Sequence, residues 1–206
     1  LAKYDLVDQI IDEYESAAGV DAGNSTNETL TSGVYSGQVL PTITQDADNV
    51  SIDGLYTVYK WTDHAATGSY EISSTVSHEW LVVAGGGSGG GSQGGGGGAG
   101  GYRAGASLSL TGGNEYTITV GDGGSLAHEN GDDSIIAGTG ITTISSTGGG
   151  GGGQYGGPAA DGSVGGSGGG GGVQGGMGAG AATAITQYTA AGEVTSVQGY
   201  AGGVGM

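Results

Sequence analysis

Two glycine tracts limit what this chain can fold into more than any other feature. Gly85–Gly101 holds 13 glycines in 17 positions, and Gly148–Gly180 holds 20 in 33. Glycine loses more backbone freedom on ordering than any other residue, and fixing a backbone costs on the order of 1–2 kcal/mol per residue. A tract of this kind is therefore either a flexible coil or a segment whose main chain itself does the packing. Collagen is excluded, because no strict Gly-X-Y register exists and the 206 residues contain only two prolines.

Three features favour order. The second tract is punctuated by Gln154, Tyr155, Val164, Val173, Gln174 and Met177, unlike a monotonous linker. Positions 91, 94, 97 and 100 are all glycine, as are 166, 169, 172, 175 and 178. A left-handed extended helix has three residues per turn, so such phasing leaves one edge free of Cβ atoms. Strands flank the first tract and would fix its ends. Helices packed this closely can pair each buried N–H with a neighbour's carbonyl, as buried backbone requires. Gly94–Gly98, Gly148–Gly153 and Gly168–Gly172 are expected as interior helices.

From residue 55 the pattern outside the tracts has period two. LYTVYKWT (55–62) sets Leu55, Thr57, Tyr59 and Trp61 on one face. SYEISSTV (69–76), HEWLVVA (78–84), SLSL (107–110), EYTITVG (115–121), DSIIA (133–137) and ITTISS (141–146) follow. Gly112-Gly113-Asn114 reads as a hairpin turn between SLSL and EYTITVG, and residues 65–68 as another. Residues 1–19 read as an amphipathic helix with a seam of Tyr4, Val7, Ile11 and Tyr14. A helix this short must dock, on its own domain or on other copies. The expected fold is mainly β: an antiparallel meander or sandwich with inserted, stacked polyglycine II helices, preceded by a short N-terminal α-helix. Its parts are the helix (1–20), a polar connector with short strands (21–54) and a glycine-rich domain (55–206).

Composition narrows the function. Three strong bases, Lys3, Lys60 and Arg103, face 20 acids, giving a net charge of −17. Such a polyanion repels nucleic acid and anionic lipid. No run of about 18 apolar residues exists to span a membrane, and no signal peptide is visible at the N-terminus. Cysteine is absent, which removes thiolate chemistry and Cys-ligated metal. GxGxxG recurs only because glycine is abundant, with no strand–loop–helix unit around it. His64, His78 and His128 are scattered, and no GxSxG elbow occurs. The chain is expected not to be an enzyme and to need no cofactor. Asp122, Glu129, Asn130, Asp132 and Asp133 gather in GDGGSLAHENGDDS and could offer Ca²⁺ hard oxygens. Their spacing departs from both the EF-hand loop and the GGxGxD repeat, so a solvated acidic turn is expected and no metal site is assigned.

The strand-into-glycine junction Trp80-Leu81-Val82-Val83-Ala84-Gly85, the segment Ala99-Gly-Gly-Tyr-Arg103 and the strand Tyr116-Thr-Ile-Thr-Val-Gly121 carry a resemblance. Over about residues 55–180 the chain resembles the glycine-rich domain of bacteriophage tail-fibre and tail-tip adhesins. The extracellular glycine-rich domain of anaplastic lymphoma kinase type receptors is similar in architecture, but carries disulfides and a kinase. The resemblance implies stacked polyglycine II helices whose connecting loops bind a host cell-surface protein or glycan. It also implies a place on the virion surface, other fibre proteins as partners and a homo-oligomer. Residues at tract ends and interruptions are the expected contacts: Tyr102, Arg103, Gln154, Tyr155, Pro158, Asp161, Val173, Gln174 and Met177. Aromatic and Arg side chains on rigid loops make good anchors. The competing expectation is a structural subunit of an extracellular or virion-surface filament or decoration, with no receptor role.

Overall fold

The computed structural model describes residues 43–53, 56–64, 66–156, 160–173, 184–189, 192–197 and 199–204. The N-terminal helix and its seam of Tyr4, Val7, Ile11 and Tyr14 lie outside them, as does most of the connector. Ser51–Val58 belongs to a smaller compact unit, and Thr42–Val50 with Tyr59–Met206 to a larger one. The smaller holds the tip of a two-stranded sheet, β2 (Asn49–Asp53) with β3 (Tyr56–Lys60), whose Ile52, Tyr56 and Val58 are exposed.

The larger unit is mainly β and its sheets are antiparallel. Its five-stranded sheet has the order β1 (Ile43–Gln45), β4 (Thr67–Ile72), β7 (Glu115–Thr119), β8 (Ser134–Gly138), β9 (Ile144–Ser146). Among the described residues β5 (Val76–Val83) pairs with β6 (Tyr102–Leu110), and β10 (Ala184–Thr189) with β11 (Gly192–Val197). The alternation read from EYTITVG holds over its first half, with Tyr116 fully buried and Thr117 exposed, and is lost after it, where Ile118, Thr119 and Val120 are all half-buried. Tyr70, Ile72, Leu110 and Tyr116 form the core, with Tyr59, Trp61 and Leu108 packed against it. Tyr59 and Trp61 meet the Tyr70 ring edge-on at 5.5 and 6.0 Å. Tyr70 hydroxyl donates to His78 Nε2 at 2.8 Å, and His78 Nδ1–H donates to the Val76 carbonyl. Burial, with Tyr59 as a lesser cause, pushes the Tyr70 hydroxyl up to about 12.

Two expected hairpins are corrected. The turn at 111–114 forms, with Gly113 at φ 79°. It joins strands of different sheets, because β6 returns to β5 while β7 lies between β4 and β8. Tyr116 explains the redirection: its hydroxyl accepts from Thr111 N–H at 2.7 Å and donates to the Thr111 carbonyl, holding the turn over the core. Thr67 and Gly68, expected in the second turn, instead open β4, which is not paired with β3.

The first glycine tract is the extension of the β5–β6 hairpin. Val82 pairs with Arg103 and Val83 with Tyr102. The same register continues as Ala84 N–H to Gly101 O, Gly87 to Gly98 and Gly90 to Gly95, at 2.8–3.0 Å. Only the spacing changes, from every second residue to every third. It closes at Ser92 (φ 34°) and Gln93 (φ 55°), the left-handed pair that a type I′ turn requires.

The second tract repeats the period of three in other directions. Gly149 and Gly152 donate to Gly85 and Ser88, Gly150 and Gly153 to Ser167 and Gly170, and Gly148 and Gly151 to the side chains of Asp133 and Asn130. Residues 148–153 thus have three sets of partners, and all six are buried. Of the three runs expected to be interior, only this one is wholly so. Gly94, Gly96 and Gly97 are exposed, and Gly170 and Gly171 are half-buried. Segments 84–90, 95–101, 128–132, 160–172 and 199–203 are linked to one another and to this central run by backbone hydrogen bonds.

Close approach explains why the central run tolerates nothing larger. A Cβ on Gly150 would overlap the Ser163 carbonyl, whereas one on Gly96 meets nothing within 4 Å. Gly150→Ala is therefore expected to cost roughly 1–3 kcal/mol by forced backbone displacement. Gly96→Ala is expected to be neutral or to stabilise by up to about 1 kcal/mol through the unfolded chain. Urea unfolding of both variants measures the difference.

Candidate functional site

The glycine segments present their turns at one end. Ser92–Gln93 caps the first ladder. Residues 125–128, 154–156 and Val173 end the neighbouring segments. Val173 N–H donates to the Gln93 carbonyl at 3.2 Å, and Gly156 N–H to the Val173 carbonyl at 3.3 Å. Ala127 Cβ lies 3.7 Å from where a Gly91 Cβ would stand, and the Gln154 amide reaches the Ala127 carbonyl at 3.5 Å. Turns from three distant parts of the sequence and the segment ending at Val173 thus make one surface. It displays Leu126 (70% exposed), Tyr155 (47%), Ser92 and Gln93.

The turns are held by hydrogen bonds from polar side chains at their bases. Glu129 accepts from Leu126 N–H at 2.7 Å and Ser125 N–H at 2.9 Å, and Ser125 Oγ adds a third bond. These donors, Leu126 foremost, hold the Glu129 carboxyl below its ordinary value. Ser88 Oγ donates to the Leu126 and Glu129 carbonyls and accepts from Glu129 N–H. His128 sits at φ 67°, and its Nδ1–H donates to the Gly152 carbonyl at 2.8 Å. Three non-glycine residues therefore hold left-handed backbone at this end: Ser92, Gln93 and His128. Each such conformation costs roughly 1–2 kcal/mol for an L-residue. In a chain with 53 glycines, the side chains there serve something glycine would not.

The sequence-expected contacts divide. Gln154, Tyr155 and Val173 lie at the turn end, and Asp161 is exposed in the segment that runs from it. Pro158, Gln174 and Met177 lie outside the described residues. Tyr102 is exposed (57%) but nine residues of extended chain from Gln93, on the order of 30 Å. Arg103, expected as a displayed anchor, is only 6% exposed. Strand alternation turns it inward beside Val82, and Nη1 donates to the Ser145 carbonyl at 2.8 Å. Sequence reading missed Ser92, Gln93 and Leu126. The signal available was the interruption Ser92-Gln93 at the midpoint of the first tract.

The acidic cluster at 122–133 is dispersed by its hydrogen bonds. Asn130 Oδ1 accepts from Gly151 N–H and Asp133 Oδ1 from Gly148 N–H, both at 2.8 Å. Asp122 lies 3.3 Å from His64 Nδ1. Among the described residues no three His, Asp or Glu side chains are grouped to hold a metal. The small cleft beside Trp61, 50 Å³ in volume, is also occupied by its own bonding. Asp46 accepts from Trp61 Nε1 and Ser69 N–H, and Asp48 from Thr62 and Asp63 N–H. Both carboxyls are lowered by these donors.

A family model described as a glycine-rich domain matches residues 62–206. No curated protein and no solved structure matches the chain.

Asn130→Ala removes the partner of a buried N–H, and a loss of about 1–3 kcal/mol in unfolding free energy is expected. Glu129 gives a pH signature. Its folded value lies below the unfolded 4.5, so its contribution is whole above that pH and disappears as pH falls through the depressed value. The acid limb of the stability curve is expected to be shallower in Glu129→Gln, measured by thermal melts across that range.

Proposed function

The chain belongs to the glycine-rich domain family, and on that premise we propose a non-covalent host-receptor binder of a bacteriophage fibre or tail tip. In this reading the glycine segments are polyglycine II helices. The three-residue period of their hydrogen bonds and the Cβ-free contacts support that assignment. The helices form a rigid base on the virion surface, and the N-terminal region attaches it to other fibre proteins as a homo-oligomer. The observation that carries the proposal is the gathering of three turns and Val173 at one end, with strained Ser92, Gln93 and His128 beside exposed Leu126 and Tyr155. Rigid segments hold such turns in place before contact, which reduces the entropy lost on binding.

The surface offers an aromatic, an aliphatic and neutral amide groups, suited to a protein loop or a glycan. No bond is made or broken in this reading, and no cofactor or metal takes part.

The combined variant Gln93→Gly, Leu126→Ala and Tyr155→Ala is expected to bind host cells at least about tenfold more weakly, a loss of about 1.4 kcal/mol. Its melting temperature should stay within a few degrees of the parent. Binding of labelled protein to a panel of candidate host cells measures this. Undiminished binding by the variant would remove the turn end from the role. Long homopolymers in electron micrographs, with no cell binding by the parent, would favour the filament reading instead.

A further inference from the structure

Asn130–Gly131 is the only Asn-Gly pair in the 206 residues. In such a pair the nitrogen that follows the asparagine can attack the side-chain carbonyl carbon, and glycine has no Cβ to obstruct the approach. Asparagine counts among the thermolabile residues for this kind of reason.

Here the packing imposes both residues. A Cβ at 131 would stand 2.2 Å from the Gly85 carbonyl oxygen, so the site takes glycine. At 130 the side-chain amide is used at both ends. Oδ1 accepts from Gly151 N–H at 2.8 Å, and Nδ2 donates to the Val164 carbonyl at 3.2 Å. An ionised aspartate would have no donor for Val164. The reactive pair is therefore a requirement of the glycine layer.

The same contacts keep the pair unreactive. Gly131 N–H donates to the Gly149 carbonyl at 2.9 Å. For this nitrogen to reach Asn130 Cγ, that bond and both amide bonds must break, and the side chain must swing over the next peptide. All three partners lie on other segments: Gly149 and Gly151 in the central run, Val164 in the segment 160–172. Asn130 is itself exposed, so the protection comes from the clamp and not from burial.

We propose that Asn130–Gly131 is a self-modification site, held closed by the folded layer, whose reaction traps an opened layer. In the opened segment Gly131 N loses its proton and bonds to Asn130 Cγ. The Cγ–Nδ2 bond breaks, and Nδ2 leaves as ammonia. Water then adds to either carbonyl of the succinimide ring, giving aspartate or isoaspartate at 130. No oxidant or reductant takes part. Both products oppose reclosure. Aspartate puts an acceptor oxygen where Nδ2 met the Val164 carbonyl, and adds negative charge next to Glu129, Asp132 and Asp133 in the sequence. Isoaspartate lengthens the main chain by one carbon and moves Gly131 out of step with Gly149. A chain that opens here for long enough thus acquires a permanent mark. The reaction does not depend on the receptor role of the turns.

The test uses the full chain, folded and in guanidinium chloride, incubated side by side in mildly alkaline buffer. Peptide mass spectrometry follows loss of the Asn130 amide, and isoaspartyl methyltransferase labels the rearranged product. Loss is expected to be at least about tenfold slower in the folded protein, because it must wait for local opening. After dilution from denaturant, the refolded fraction should retain the amide, and the fraction that fails to refold should carry the acid. Equal rates in the two states overturn the proposal, because the clamp then closes nothing. So does an amide that survives in denaturant, or a deamidated chain that refolds in full yield.

Discussion

The structure rests on the pairing of backbone N–H and carbonyl groups across segments that have no side chains between them. In an ordinary core, apolar side chains supply the driving force and the backbone is satisfied inside each element. Among the described residues, Tyr70, Ile72, Leu110 and Tyr116 form such a core. The layer built on residues 84–172 has little apolar surface to bury. Its donors instead turn through three directions with successive residues, as at Gly148, Gly149 and Gly150. Each direction is filled by a neighbouring segment or, where a segment is missing, by Asp133 or Asn130.

This accounts for the position of the small apolar core. It lies under the β4–β7 sheet and the turn at 111–114, at the start of the layer. There Tyr116 anchors the strands that lead into the glycine segments. The β5–β6 ladder then passes from the strand spacing to the glycine spacing without losing register. No separate joint connects the two parts.

Much of this was legible in the sequence. Period-two segments located β3 to β9, and the run Gly148–Gly153 marked the interior. Pairing was not legible, because a glycine turn such as 111–114 states that the chain bends and not which strand it meets. The inward side of β5 and β6 also escaped. Val82 alone of Leu81, Val82 and Val83 is buried, and Arg103 follows it inward, where its Nη1 donates to the Ser145 carbonyl. At the turn end, Tyr155 and Val173 could be found as interruptions. Ser92 and Gln93 gain their significance from positive φ, which residue type does not reveal.

A glycine ladder has a weakness that follows from its uniformity. Sliding one segment past another by three residues restores nearly the same hydrogen bonds, since one Gly-Gly-Gly unit is interchangeable with the next. Side chains must therefore set the alignment. The Oδ1 atoms of Asn130 and Asp133 grip Gly151 and Gly148, and Ser88 Oγ ties its segment to Leu126 and Glu129. These few polar residues act as an index that makes one alignment out of several near-equivalent ones. The acidic stretch that first suggests a cation site is in this light what keeps the glycine segments in step.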